Sequence, residues 1–116
     1  MGVLIAEGKS LKPVQIPGFE GIFTKNASEA VDGATASAGK AKMEKGAMIE
    51  NFTYAYGEIQ YMISGTQILV VEGKTLVAHE GDFIHIQKGT TINQGSDDGC
   101  ELMFITLPSL KIAGIV

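Results

Sequence analysis

Few residues in this chain can do chemistry, and the richest stretch of them is centred on one carboxylate. Glu58 sits in the run Tyr54-Ala55-Tyr56-Gly57-Glu58-Ile59-Gln60-Tyr61, among phenols and an amide. In an extended chain side chains two apart point the same way, so Glu58, Gln60 and Met62 share one face and Ile59, Tyr61 and Ile63 the other. The same spacing puts Met48, Glu50, Phe52 and Tyr54 on one face of the preceding strand. His79 and His85 are the only two histidines, too few for a three-imidazole metal site within one subunit. Cys100 is the single thiol; it precedes the apolar run Leu102 to Ile105 and reads as a small core residue. The chain contains no arginine, so an anionic substrate must be held by lysine, backbone N–H groups or neutral donors rather than by a guanidinium fork.

Composition narrows the function further. The net charge is −4 and the lysines are scattered singly among acids, which argues against nucleic acid, since phosphate binding needs a basic face. The longest purely apolar runs, Ile68 to Val71 and Leu102 to Ile105, are far short of the ~20 residues that cross a bilayer. The opening Val3-Leu4-Ile5 is followed at once by Glu7 and Lys9, which does not resemble a signal core. These features predict a cytoplasmic protein without membrane or nucleic-acid partners. With 116 residues, 45% of them hydrophobic, the chain suits one domain with its own core.

The elements that must position Glu58 read as strands. Fifteen glycines punctuate the sequence, and the apolar residues alternate or cluster in short groups instead of following a helical period. Pro13 and Pro17 consign residues 1–24 to short edge strands, because proline donates nothing to a ladder. Residues 27–33 suggest a helical turn stopped by Gly33. From Ala34 onward strands are expected over 34–43, 48–54, 58–64, 67–72, 75–78, 82–87, 92–96 and 101–107, with hairpin turns at Gly65-Thr66 and Gly73-Lys74. Eight to ten short strands at even spacing predict an all-β fold, an antiparallel sandwich or closed barrel.

Two segments resemble the paired signature motifs of the cupin superfamily. Glu58 and Gly65 have the separation of the glutamate and glycine of the first motif, and Gly81-Asp82-Phe83-Ile84-His85-Ile86-Gln87-Lys88-Gly89 resembles the first half of the second. The resemblance implies a small double-stranded β-helix, or jelly-roll barrel, spanning 1–116, with its core over 34–108 and an apolar tail over 109–116. The family's metal-binding histidines fall on Phe52 and Tyr54, or on Asn51 and Thr53, and on Ile92, so of the four ligands only Glu58 is retained. No metal or other cofactor is therefore expected; a weak site of Glu58 with His85 is the alternative. Within the cupins, the Glu-Ile-x-Tyr run and the Ile-x-Ile-x-Lys-Gly run are similar to the ethanolamine-utilisation protein Q family, to which acetate kinase activity has been attributed.

The cupin pattern implies which residues meet in the barrel. Glu58, Gln60 and Met62 would point inward, with Phe52, Tyr54 and Glu50 on the facing strand and Ile92 and Gln94 on the opposite wall. His85 would join them if its strand presents Phe83, His85 and Gln87 inward, and Lys40 would reach the rim. Burial would raise the Glu58 carboxyl toward neutrality, making it a general base, with Tyr54 or His85 as proton donor. Such a pair suits metal-free isomerisation, elimination or decarboxylation of a small carbonyl or carboxylate metabolite. A ligand-sensing protein, an accessory or structural cupin, and an acetate-kinase-like role are the alternatives. The apolar ends, Val3-Leu4-Ile5 and Leu110, Ile112, Ile115 and Val116, favour a homodimer with packed termini.

Overall fold

The computed structural model describes residues 2–28 and 33–114. Ten strands follow a short 3-10 turn at Gly8–Ser10: β1 (Val14–Gln15), β2 (Ile22–Asn26), β3 (Ser37–Met43), β4 (Met48–Thr53), β5 (Gly57–Gly65), β6 (Gln67–Val71), β7 (Lys74–Ala78), β8 (Phe83–Ile86), β9 (Thr91–Gly95) and β10 (Cys100–Leu107). They form two antiparallel sheets, β1-β2-β3-β10-β5-β8 and β4-β9-β6-β7. The all-β antiparallel sandwich expected from the strand spacing, and the jelly roll that the cupin resemblance implies, are thus present. Most of the helical turn expected over 27–33 lies outside the described residues, as do Ile115 and Val116 of the tail.

Alternation builds the core. On β10, Cys100, Leu102, Phe104 and Thr106 are buried while their neighbours are not, and β3 buries Ser37, Gly39, Ala41 and Met43 in the same way. Two turns need special backbone. The β6–β7 hairpin closes through Glu72 and Gly73, both at positive φ (50° and 75°), as a two-residue hairpin turn requires. Gly65 ends β5 at φ 74°, where a side chain would run into the carbonyl of Gly99. It joins the two sheets and keeps β5 close to β10.

One local irregularity decides which residues of β4 face inward. The β4–β9 register shifts between Ile49 and Phe52, and Asn51 stands at φ 52°. This is a β-bulge, and the extra residue reverses the alternation. Ile49 is buried, Met48 and Glu50 are exposed, and beyond the bulge Phe52 and Tyr54 turn inward. The single face expected for Met48, Glu50, Phe52 and Tyr54 is therefore split, and Glu50 stands in solvent.

Candidate functional site

The chain crosses from the four-stranded to the six-stranded sheet through Tyr54-Ala55-Tyr56, and the period of two continues across the join. Tyr54 and Tyr56 are buried, Ala55 is exposed, and Glu58, Gln60 and Met62 follow on the inner face of β5. Phe19, Phe52, Tyr54 and Tyr56 meet edge to face in succession, with ring centroids 6.4, 4.8 and 5.5 Å apart. Edge-to-face contacts hold the rings in fixed orientations. Phe52, Tyr54, Tyr56, Glu58 and Gln60 line a cavity of about 530 Å³ whose floor includes Leu102 and Phe104. Its mouth is bounded by residues 10–12 and 14–17 and by Leu110.

A chain of hydrogen bonds runs through the polar end. Gln60 Nε2 and the Tyr54 hydroxyl both donate to Glu58 Oε2, the latter over a long 3.5 Å. Gln67 Nε2 donates to Gln60 Oε1 at 2.9 Å, and Gln94 Nε2 donates to the Tyr54 oxygen. The carboxylate sets the direction of every link. Because Tyr54 commits its proton to Glu58, Gln94 must offer it an N–H; because Gln60 does the same, its oxygen is left to accept from Gln67. The result is two buried amide oxygens without partners, Gln67 Oε1 and Gln94 Oε1, with the Thr106 hydroxyl a third unpartnered buried atom. Glu58 Oε1 takes no donor among the described residues and is not one of these sealed atoms.

Burial governs the titration. The Glu58 carboxyl is pushed up to about 7, because desolvation outweighs the two donors from Gln60 and Tyr54 that favour its ionised form. Burial, reinforced by the nearby Glu58 charge, pushes Tyr56 up to about 12 and holds Tyr54 well above the ordinary phenol range. Both phenols therefore keep their protons at neutral pH, while Glu58 is poised between its two forms. Cys100 is buried and its thiol is pushed up by desolvation, which leaves it a packing residue.

The residues expected at the site divide. Glu58, Tyr54, Gln60, Phe52 and Gln94 line the cavity together. Met62 is fully buried beneath Gln67, whose amide approaches its sulfur at 3.5 Å, and Ile92 is buried beside the neighbouring groove rather than the cavity. Three expectations are corrected. Glu50 is turned out by the bulge. His85 pairs with Ile59 and is exposed, because β8 turns its apolar Ile84 and Ile86 inward. Lys40 lies on the outer face of β3, ion-paired to Glu101 at 3.0 Å, since the small residues of that strand take the core side. His79 is exposed, and its backbone N–H donates to Asp82 Oδ2.

Of the lining residues that were not anticipated, two bear on the chemistry, Tyr56 and Lys12. Tyr56 has the parity of Tyr54 and Glu58, a signal available in the sequence. Lys12 arrives from the N-terminal segment that crosses the mouth, and no local pattern announces that. It is the one cationic side chain lining the cavity among the described residues.

The donor set does not suit a transition metal of the kind cupins bind. The polar end offers one carboxylate, amides and phenols, and both imidazoles stand on the outside. Among the described residues no three His, Cys, Asp or Glu side chains cluster, whereas such metals call for several imidazole or carboxylate ligands at one point.

Comparison with known proteins gives a consistent picture. The family model described as ethanolamine utilisation protein EutQ matches residues 15–111. A curated relative, the acetate kinase EutQ of Clostridioides difficile (strain 630), is 32% identical over 59 residues, which is 51% of this chain and 38% of that protein. The chain thus spans well under half the length of the curated relative it matches. The crystal structure of a putative ethanolamine utilization protein Q from Salmonella typhimurium LT2 superposes with a TM-score of 0.78 at 26% identity, covering 88% of this chain and 83% of that one. An RmlC-like cupin from Shewanella frigidimarina shares the fold, with a TM-score of 0.74 at 19% identity over 88% of this chain and 87% of that one. No helix among the described residues is long and apolar enough to cross a membrane.

Proposed function

The chain belongs to the ethanolamine utilisation protein EutQ family, and we propose that its cavity binds a small carbonyl or carboxylate metabolite on which Glu58 performs metal-free proton transfer. The observation that carries this reading is a carboxyl at the polar end of a cavity, pushed up to about 7, with one oxygen held by two donors and the other open. A general base works best with its pKa near the working pH. Glu58 Oε1 takes a proton from the carbon beside the substrate carbonyl, and the C–H electron pair moves onto the carbonyl oxygen as an enolate. In a substrate with a β,γ double bond, return of the proton at the γ-carbon re-forms the carbonyl and completes an isomerisation; departure of a leaving group from the β-carbon with its electron pair, the enolate electrons forming the new double bond, gives an elimination. Gln60 and Tyr54 hold Oε2 throughout and fix the direction in which Oε1 points.

Glu58→Gln keeps the shape and removes the base. Proton exchange into the α-carbon of a bound carbonyl compound, followed by NMR in deuterated water, is expected to fall on the order of 10²–10⁴-fold. Binding of the compound with exchange unchanged by the substitution contradicts the reading and favours a ligand-sensing protein. An acetate-kinase-like role, as in the name of the Clostridioides difficile relative, would have to bind phosphates with Lys12 in a chain without arginine, and is less well supported. A homodimer in the cytoplasm belongs to the same reading. Its support is Val3, Leu4 and Ile5, which stand exposed (85%, 56% and 83%), whereas Leu110 and Ala113 of the tail pack on the chain's own core.

A further inference from the structure

The proton-transfer reading needs a group to receive the charge that builds on the substrate oxygen. Tyr54 is the phenol the sequence suggests, but its hydroxyl is occupied on both sides. It donates to Glu58 Oε2 and accepts from Gln94. Turning its O–H toward a substrate would strip the buried Glu58 carboxylate of a donor, a cost of the kind buried polar groups exact.

Tyr56 differs in every respect that matters. Its ring packs at 5.5 Å and 75° from that of Tyr54, so its orientation is fixed. It lines the same cavity. Its hydroxyl has no hydrogen-bond partner among the described residues and is not among the sealed, unpartnered atoms, so it is free to meet a ligand. It also lies close enough to Glu58 to feel its charge. Resting on the proton-transfer reading, we propose that Tyr56 is the catalytic residue that donates a hydrogen bond to the substrate's carbonyl oxygen, while Tyr54 is a positioning residue that acts through Glu58. The substrate class follows: a molecule with an acceptor oxygen for the Tyr56 O–H and an acidic C–H next to it for Glu58 Oε1. No proton leaves Tyr56. It holds the enolate oxygen by hydrogen bonding and is unchanged when the proton returns, so the step balances with Glu58 alone as acid and base. A preorganised donor of this kind is worth on the order of 10²–10³-fold in rate.

The test uses carbonyl-labelled cyclopentanone as probe and the infrared C=O stretch of the bound molecule as readout. A donor at the oxygen lowers the stretching frequency. The lowered band is expected in the wild type and in Tyr54→Phe, and absent in Tyr56→Phe. Tyr54→Phe instead moves the titration midpoint of Glu58 upward, because the ionised carboxylate loses a donor, and Tyr56→Phe does not. A lowered band that survives Tyr56→Phe, or none in the wild type, overturns the assignment. The proton-transfer reading stands or falls separately on α-proton exchange in Glu58→Gln. A lowered band that vanishes in Tyr56→Phe without any exchange in the wild type supports the donor while sinking the base.

Discussion

Two openings of the sandwich among the described residues are of nearly equal size. The cavity around Glu58 encloses about 530 Å³, and a groove between β7 and β8 about 580 Å³. Their linings differ in kind. In the cavity, Glu58, Gln60, Tyr54 and Gln94 are tied by side-chain hydrogen bonds, and burial displaces the titration of three groups. In the groove, Asp82, His85 and Gln87 stand in solvent beside exposed Leu76, Val77 and Phe83. Volume therefore does not mark the site. A site needs polar groups that converge and are desolvated together, because only then do their interactions strengthen and their pKa values move.

The contrast can be broken most directly through packing. Leu102, 1% exposed on the cavity floor, belongs to the hydrophobic core, so Leu102→Ala is expected to cost about 2–5 kcal/mol in urea unfolding. Leu76, 54% exposed at the groove, is expected to cost under about 1 kcal/mol on the same change. Equal losses would mean that the groove is as firmly packed as the cavity floor.

A smaller effect separates the regions by pH. Folded Glu58 keeps its proton up to about 7, whereas an ordinary carboxyl releases it near 4.5. Between those values the folded state binds more protons than the unfolded one. Its stabilising contribution is complete below 4.5 and is lost as pH rises through 7. The expected loss across this window is on the order of 3 kcal/mol, and Glu58→Gln should flatten it. An unchanged slope in the variant would show that Glu58 is not the titrating group. Gln67→Met, at the sealed end of the same chain of bonds, removes a buried orphan oxygen but leaves Gln60 Oε1 unpaired. The two changes oppose each other, so a net loss of about 1 kcal/mol is expected in thermal unfolding.

Period-two alternation made much of this legible in the sequence. It fixed the inner face of β5, and with it Glu58 and Gln60, because a sheet residue cannot change face without a shift of register. It failed where the backbone breaks the period. The bulge at Asn51 inserts a residue and expels Glu50, and the only local hint is that asparagine tolerates positive φ. On β8 the alternation itself was sound but the face was misjudged. Ile84 and Ile86 outcompete His85 for the interior, as their greater apolar surface requires. Lys40 was lost for the same reason, since Gly39 and Ala41 on its strand take the core side. Lys12 was beyond reach, because its place at the mouth depends on β1 pairing with β2 across a turn and on the course of the segment before it.

Carbon-13 NMR titration of the Glu58 side-chain carboxyl tests the central claim most directly, since proton transfer at the site depends on that group sharing its proton near neutrality. The structure predicts a midpoint near 7, moving upward in Tyr54→Phe. A midpoint near 4.5, unmoved by the substitution, would mean an ordinary hydrated carboxylate and would contradict the account.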